Sequence, residues 1–342
     1  MIKEVLAILI KGKDLSETQS QGVMLEIMEG KATSAQIAAF LTALRMKKES
    51  VEEIAGLAHQ MMRKVISFPW DGDTLVDTCG SGGDGVGTFN ISTVSAFIVA
   101  GAGVKVAKHG NRALSSRCGS ADVLEEIGMK IKLPSYLAQE ALEKIGISFL
   151  FAPVFHPAMK YALIPRREMG IRTVFNVLGP LTNPLRANIR LMGVYNPFLT
   201  LILAQVMSRL GVKRGFVVWG EDGLDEITVT GRTKVAELKN GEVTSYWIKP
   251  ENLGIERSSL KELKGGGKKR NAQIIRTILS GKEKGAKKDI VLLNAAFCLL
   301  GAGVVSNIKQ GIKLASQSID SGKALKKLNQ LVEFTNSFSI KT

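Results

Sequence analysis

A glycine-rich stretch between a short apolar run and a helical pattern constrains this chain more than any other feature. The stretch runs from Asp77 to Asn90 and contains five glycines, at positions 80, 82, 83, 85 and 87. Glycine adopts positive φ without strain and allows a backbone to approach a ligand closely. Successive N–H groups of such a turn can point at an anion, and the N-terminus of the following helix adds its dipole. The stretch therefore predicts an anion-binding loop.

This loop matches neither of the two common nucleotide-binding motifs. No Gly-Lys-Ser or Gly-Lys-Thr follows, as a P-loop requires, and the glycine spacing differs from G-x-G-x-x-G. Ser92 and Thr93 come next, and we expect them to cap the helix or to present oxygens to a phosphate or a metal.

From Thr74 onward, short apolar runs alternate with helical patterns, which favours an α/β fold with a mostly parallel central sheet. The runs expected to form strands are Leu75–Val76, Val104–Val106, Ile147–Phe151, Leu191–Tyr195 and Gly215–Trp219. The expected helices are Val94–Ala100, Ala121–Ile127, Tyr136–Ile145, Pro157–Glu168, Leu199–Leu210, Ile290–Leu300 and Ile308–Phe334. The segment Ile227–Ile248 contains the hairpin signal Asn240-Gly241, so an antiparallel element is expected there.

The first part of the chain predicts a small, separate helical unit. Each of three successive helices begins with a hydroxyl residue and has Glu or Gln three positions later, which satisfies the first N–H groups reciprocally. The pairs are Ser16 with Gln19, Thr33 with Gln36, and Ser50 with Glu53. Pro69 and the turn at Asp71-Gly72-Asp73 end the unit. We therefore expect a helical domain over residues 1–69 and an α/β domain over residues 70–342.

The composition is that of a globular protein with an unusual charge. The chain has 342 residues, of which 45% are hydrophobic, and a net charge of +15 that favours anionic partners. Lys261–Lys288 concentrates cations around a Gly-Gly-Gly run without interleaved aromatic residues. We interpret this segment as a solvated, mobile loop rather than a nucleic-acid patch. No stretch is apolar and long enough to span a membrane, and no signal peptide is evident, so a cytoplasmic protein is expected.

A second loop, Lys108–Ser116, carries the donors that a phosphate clamp needs. Lys108 and Arg112 supply positive charge, Gly110 permits close approach, and Asn111 adds hydrogen bonds. Ser115 and Ser116 add two hydroxyls, and Ser120 starts the next helix as a cap or as a further phosphate ligand. A solvated basic loop is the alternative interpretation.

Carboxylates and turn residues later in the chain complete the candidate site. Glu221–Glu226 is an acidic turn directly after a strand, which suits Mg²⁺, although an acidic surface turn is the alternative. His156 precedes a helix expected to start at Pro157, and Arg166 could pair with a carboxylate through its planar fork. The turn-rich run Asn176–Pro184 could close over a site. Together these features indicate a phosphate-rich substrate held with Mg²⁺.

In their order and spacing, these motifs resemble the anthranilate phosphoribosyltransferase family over nearly the whole chain. The matching stretches are Gly80–Asp84, Lys108–Ser116, Gly119–Glu125, His156–Lys160, Arg166–Leu185, Asp222–Glu226 and Asp289–Ala296. One departure is Ser81, where the family usually has Thr; the hydroxyl is retained. The resemblance implies a helical domain, joined by a segment near 165–187, beside a larger α/β domain of the nucleoside phosphorylase and phosphoribosyltransferase type. It also implies a homodimer formed through the N-terminal helices.

The resemblance further implies a reaction and its site residues. In this reaction anthranilate and phosphoribosyl pyrophosphate give phosphoribosyl-anthranilate and pyrophosphate, in tryptophan biosynthesis. The implied residues for phosphoribosyl pyrophosphate are Gly80, Gly83, Asp84, Thr88, Asn90, Ile91, Ser92, Thr93, Lys108, His109, Gly110, Asn111, Arg112, Ser115, Ser116 and Ser120. Those for anthranilate are Gly80, Asn111, His156 and Arg166. Those for Mg²⁺ are Ser92, Asp225 and Glu226, with two ions expected, one of them carried with the diphosphate.

The candidate catalytic residues are Lys108, His156 and Arg166, and none of them forms an obvious nucleophile–base pair. We therefore expect direct displacement at the anomeric carbon rather than a covalent intermediate. His156 is expected either to shape the aromatic pocket or to assist proton loss. Two alternatives stay open: a nucleoside phosphorylase, and a nucleic-acid-binding relative that has lost catalysis.

Overall fold

The computed structural model describes residues 1–113 and 117–338 and begins with four helices. They are α1 Ile2–Leu9, α2 Glu17–Met28, α3 Ser34–Lys47 and α4 Val51–Arg63. All three predicted capping boxes are present, at the starts of α2, α3 and α4. Helix α1 was not predicted; it forms because Ile2, Val5 and Leu9 share one face and are buried.

A sheet of seven strands forms the centre of the larger part. Its strands are β1 Val76–Gly80, β2 Val106–Gly110, β3 Ile147–Phe151, β4 Ile189–Gly193, β5 Arg214–Gly220, β6 Thr233–Lys239 and β7 Glu242–Ile248. The spatial order is β3-β2-β1-β4-β5-β6-β7. The strands from β3 to β5 are parallel, and β6 and β7 add an antiparallel edge. The predicted mostly parallel sheet is confirmed.

The hairpin between β6 and β7 turns at the dipeptide that predicted it. Asn240 and Gly241 have φ of 52° and 85°. Positive φ at both central positions gives the turn the twist that matches the flanking strands. The strand after the acidic turn begins only at Thr233, later than the expected segment starting at Ile227.

Helices cover both faces of the sheet. They are α5 Ile91–Gly101, α6 Ser120–Ile127, α7 Ser135–Lys144, α8 Ala152–Phe155, α9 Lys160–Met169, α10 Phe175–Leu181, α11 Leu199–Arg209, α12 Lys268–Leu279, α13 Ala286–Gly301, α14 Ile308–Asp320 and α15 Lys323–Asn336. Neighbouring strand residues point to opposite faces, so Phe216 packs with α5 and α13 while Val217 packs with α11. The N-terminal helices join that second core, together with α9, α10 and α11.

Three local predictions were wrong, and one of two alternatives was excluded. Lys261–Lys288 is not wholly a loop, because its apolar residues Ile275, Ile278 and Leu279 bury one face of α12. The stretch Ile308–Phe334 is two helices, since Gly322 adopts φ of 74° and breaks it.

The third error concerns a turn, and the excluded alternative concerns a helix start. The run Asn176–Pro184 is largely helical, because α10 occupies most of it. Ser92 and Thr93 do not cap α5: the helix begins at Ile91, and Asn90 stands in the cap position. Both hydroxyls therefore lie inside the first turn. No helix among residues 1–113 and 117–338 is long and apolar enough to cross a membrane.

The contact between α2 and α4 yields a stability prediction. A Cβ added at Gly56 of α4 would lie 2.4 Å from the Glu17 carbonyl oxygen of α2. We expect Gly56→Ala to lower the free energy of unfolding by about 2 kcal/mol, because two rigid backbones must separate.

Gly22→Ala is the matched control, since its Cβ would meet only the flexible end of the Met1 side chain. This change should be neutral or should stabilise by up to about 1 kcal/mol, through helix propensity. Urea unfolding of both variants decides the matter. Equal effects of the two substitutions would contradict close packing of α2 on α4.

Candidate active site

The site lies at the carboxyl ends of the parallel strands, between β1 and β4. From β1 the chain proceeds to β2 and β3 on one side, and it later returns to β4 and β5 on the other side. Loops leaving β1 and β4 therefore diverge, and this opens the crevice in which α/β sheets bind ligands. Gly80 and Gly193 are opposite each other in the register at this point.

The two glycines make room for Asp225, which comes from the loop after β5. A Cβ on Gly193 would lie 1.5 Å from the Asp225 carbonyl oxygen, and a Cβ on Gly80 would lie 2.3 Å from its Oδ2 atom. The Gly82 N–H donates to the same Oδ2 at 2.7 Å. The predicted acidic turn and the glycine-rich loop thus meet directly.

The glycine-rich loop takes the backbone conformation that its sequence predicts. Gly82, Gly83, Gly85 and Gly87 all have positive φ, between 68° and 77°. Arg172, from the segment before α10, donates to the Gly83 carbonyl at 3.0 Å and stacks on the Tyr195 ring. Arg172 was not among the predicted site residues, although it lies within the Arg166–Leu185 motif.

Two buried carboxylates and one buried cation form the electrostatic centre of the site. Asp225 is 8% exposed, Glu226 7% and Lys108 3%. Glu226 accepts from the Ser92 N–H at 3.1 Å, and Lys108 Nζ donates to the Thr78 carbonyl at 2.7 Å and to Ser92 Oγ at 3.3 Å. Three stretches that are far apart in sequence therefore converge on Ser92.

Burial and repulsion raise the pKa of both carboxyl groups. For Asp225, loss of solvation and then the charge of Asp84 raise the pKa to about 7. For Glu226, loss of solvation and then the charge of Asp225 raise the pKa well above its ordinary value. Burial also lowers the pKa of Lys108. The ionised forms of both carboxyl groups are therefore destabilised although Lys108 lies nearby, so the site favours a further cation.

Magnesium fits this donor set. Mg²⁺ prefers oxygen ligands and usually keeps waters and substrate phosphates in its shell, so two carboxylates and a hydroxyl are enough protein ligands. Among the described residues no group of three or more His, Cys, Asp or Glu side chains could hold a metal alone. The pair Asp225 and Glu226 with Ser92 would therefore hold a magnesium ion that the substrate also binds.

Two further residues hold the acidic turn in place. Asn294 of α13 accepts from the Ile227 N–H at 3.0 Å and donates to the Ile227 carbonyl at 2.9 Å. Asp222 accepts from the hydroxyls of Thr228 and Thr230. The sequence signal for Asn294 was its place in the Asp289–Ala296 stretch, but nothing there indicated its partner.

Two neutral histidines lie side by side at the end of β2. The rings of His109 and His156 are 5.2 Å apart, and each donates to a carbonyl near α10, His109 to Gly179 and His156 to Thr182. Burial lowers the pKa of His109 to about 4 and that of His156 to about 3. Each ring therefore retains one buried nitrogen that has no protein partner among the described residues and can accept a hydrogen bond.

Arg166 is a half-buried cation without an acidic partner in the described part of the chain. Its guanidinium lies over the Phe175 ring at 5.0 Å, and burial lowers its pKa. No carboxylate within the described ranges forms an ion pair with it. A planar cation that lies over an aromatic ring suits an aromatic carboxylate ligand.

The structure directs several predicted residues to other partners. Arg112 pairs with Asp122 and Glu125 of α6 and is exposed, so its charge is already compensated. Ser120 Oγ donates to the Asn111 carbonyl at 3.3 Å, where it lies beside Gly110.

Three more predicted residues lie in the described part of the chain, and two others lie outside it. Ile91 is buried, Thr93 is buried with no hydrogen-bond partner for its hydroxyl among the described residues, and Thr88 pairs with Lys264. Ser115 and Ser116 lie outside the described residues.

A buried polar network links β1, β2 and the segment after α10. Asp77 is buried and accepts from the His109 N–H at 3.2 Å and from Asn183 Nδ2 at 2.8 Å. Asn183 also donates to the Ala107 carbonyl at 2.8 Å. Both residues lie inside motifs of the sequence, but only their contact in the structure shows that one network links β1 to the end of β2.

Comparisons with known proteins agree with this geometry. Residues 72–325 match the family model described as the glycosyl transferase family, a/b domain, and residues 3–65 match its helical bundle domain. An anthranilate phosphoribosyltransferase from Acetivibrio thermocellus is 54% identical over 338 residues, with 99% of this chain and 98% of that protein covered.

Two solved structures have the same fold over their whole length. The crystal structure of anthranilate phosphoribosyltransferase from Thermus thermophilus has a TM-score of 0.92 and 41% identity, and covers 97% of this chain and 99% of that one. The Saccharomyces cerevisiae enzyme in complex with PRPP and Mg has a TM-score of 0.90 and 31% identity, with 98% of each chain covered. The predicted fold class is confirmed, and the chain belongs to the anthranilate phosphoribosyltransferase family.

Proposed function

We propose that this chain transfers the 5-phosphoribosyl group from phosphoribosyl pyrophosphate to the amine of anthranilate. Pyrophosphate is released, and the product enters tryptophan biosynthesis. The observation that carries the proposal is the convergence of the glycine-rich loop, Lys108 and the Asp225–Glu226 pair at one crevice. Family membership supports the same reaction.

The diphosphate is held by the loops at the ends of β1 and β2. N–H groups of the glycine-rich loop after Gly82 provide neutral donors, and Lys108 provides a buried positive charge. Ser92, Asp225 and Glu226 hold Mg²⁺, with two ions in all, one of which arrives with the diphosphate. Bound magnesium supplies charge that stabilises the departing pyrophosphate.

Anthranilate lies between Arg166 and the end of β2. Arg166 pairs with its carboxylate, because the guanidinium is half-buried and has no acidic partner within the described residues. Gly80 and Asn111 border the ring. His109 and His156 are neutral, so His156 either shapes the aromatic pocket without adding charge or assists proton loss through its unprotonated nitrogen.

The reaction proceeds by one displacement at the anomeric carbon. The bond to the pyrophosphate oxygen breaks while the neutral amine forms the new carbon–nitrogen bond, with positive charge developing on the ribose. The aromatic amine is already unprotonated at neutral pH, so the site has to position it rather than activate it. Lys108 and the loop N–H groups stabilise the negative charge of the leaving group.

The domain division at residues 1–69 and 70–342 and the homodimer are part of this proposal. Helices α9 and α10 pack on α2, α3 and α4, which supports the role of the segment near 165–187 in the helical part. Large apolar side chains are exposed on mutually packed helices, at Ile10 after α1, Met46 on α3 and Ile164 on α9. A second copy covering these residues explains their exposure.

Light scattering should give twice the mass of one chain. Ile164→Glu should shift the protein to monomer, because a charge would be buried in the interface. Phe198→Glu is the control, since Phe198 is also exposed but lies at the start of α11. A monomeric wild type would refute the homodimer.

The activity is tested by the loss of anthranilate fluorescence. The wild type should consume anthranilate only when phosphoribosyl pyrophosphate and Mg²⁺ are both present, and it should release pyrophosphate. Asp225→Asn with Glu226→Gln should weaken Mg²⁺ binding by more than about ten-fold in calorimetry, because carboxylate ligands are lost. Glu221→Gln, in the same turn but exposed and paired with Arg232, should bind Mg²⁺ normally.

The double variant should keep its fold. In metal-free protein its melting temperature should equal or exceed that of the wild type, since Asn and Gln keep the acceptor oxygens for the Gly82 and Ser92 N–H groups and cannot carry a buried charge. Unchanged Mg²⁺ binding would reject the metal site, and ribosyl transfer that depends on inorganic phosphate would indicate a nucleoside phosphorylase instead.

Arg166→Ala should raise the KM for anthranilate roughly 10- to 100-fold, which corresponds to the loss of a charged hydrogen-bonded pair. The KM for phosphoribosyl pyrophosphate should change little. Arg167→Ala is the matched control, because Arg167 is the next residue of α9 and is exposed. Equal effects of Arg166→Ala on both substrates would count against the carboxylate contact.

A further inference from the structure

The segment 264–271 lies directly against the glycine-rich loop. Lys264 forms an antiparallel bridge with Thr88, and the Gly265 N–H donates to the Gly87 carbonyl at 3.1 Å. A Cβ at Gly265 would lie 2.7 Å from the Phe89 nitrogen, so only glycine permits this approach. The segment is therefore part of the wall around the loop.

Asn271, in the first turn of α12, continues this contact through a chain of side-chain hydrogen bonds. Its Oδ1 accepts from the Gly266 N–H at 2.8 Å, and its Nδ2 donates to Asn90 Oδ1 at 3.0 Å. Asn90 Nδ2 then donates to the Cys118 carbonyl at 3.0 Å. A backbone N–H at one end and a carbonyl at the other determine the direction of every bond in the chain.

These hydrogen bonds connect three separate segments at the proposed diphosphate site. Asn90 ends the glycine-rich loop, Cys118 lies two residues before Ser120, and Gly266 belongs to the segment 264–271. Asn271 is 1% exposed, so its bonds do not compete with solvent. Removal of the Asn271 side chain leaves the Asn90 oxygen and the Gly266 N–H without their partner. The glycine-rich loop and the segment before Ser120 are then held less firmly.

We propose that Asn271 is a positioning residue for phosphoribosyl pyrophosphate, acting through Asn90. It holds the glycine-rich loop and the segment before Ser120 at the spacing that the diphosphate requires. Asn271 itself makes no contact with the reacting groups. The inference rests on the proposed function, since it concerns how the glycine-rich loop and the segment before Ser120 are positioned at the same diphosphate site.

Two variants test the inference by steady-state kinetics. Asn271→Ala removes both bonds, and Asn271→Asp retains the acceptor for Gly266 but cannot donate to Asn90. Both should raise the KM for phosphoribosyl pyrophosphate about ten-fold, the cost of a lost buried hydrogen bond. The KM for anthranilate should stay near the wild-type value.

Asn188→Ala is the matched control. Asn188 also bonds two backbone groups, the Leu75 N–H and the Asp73 carbonyl, but at the opposite end of β1. It should lower the melting temperature without changing either KM. A purely structural role for Asn271 predicts the same behaviour for its variants, and that result would overturn the inference.

A double-mutant cycle with Asn90→Ala tests the route. If Asn271 acts through Asn90, the double variant should be no worse than the poorer single variant, whereas additive effects on the KM would overturn the inference.

In the wild type, phosphoribosyl pyrophosphate should also slow amide exchange across 264–271. Unchanged exchange there would overturn the inference even if every variant failed to fold. Wild-type turnover in the same assays tests the proposed function separately.

Discussion

The burial of Asp225 over a pair of glycines, with Glu226 next to it, is the constraint on which the rest of the site depends. Asp225 occupies space that any side chain at Gly80 or Gly193 would fill. When Asp225 and Glu226 are ionised, their negative charges lie close together. The buried cation near them is Lys108, which donates to Ser92 Oγ. Such an arrangement is costly in an empty site and becomes favourable when a metal and a polyanion bind together.

The topology of the sheet explains how these groups meet. Strand β1 contributes the glycine-rich loop, β2 contributes Lys108, and β5 contributes the acidic turn. Because all three strands are parallel, their carboxyl ends share one edge of the sheet, and the reversal of strand order opens it. Buried polar residues behind the site hold these segments in place. Asn183 donates to Asp77 of β1, and Asn294 bonds Ile227 next to the acidic turn.

The helical part supplies the other side of the proposed reaction. Arg166 belongs to α9, which packs with the N-terminal helices, whereas the diphosphate loops belong to the sheet. In the proposed reaction, different parts of the structure would therefore hold the acceptor and the donor. The neutral histidines lie where α10 meets the end of β2, so the junction between the two parts is also where the amine is expected.

Local sequence determined the features that depend on neighbouring residues. The three capping boxes, the turn at Asn240-Gly241 and the positive φ of the glycine-rich loop were predictable, because each follows from the side chains of a few consecutive residues. Motifs also predicted that Lys108, Asp225 and Glu226 belong to one site, and the structure brings the three residues together at Ser92 and the glycine-rich loop. Only tertiary structure decided that Arg112 pairs with Glu125 and that 264–271 walls the site. These partners are distant in sequence or chosen by packing, so no local pattern records them.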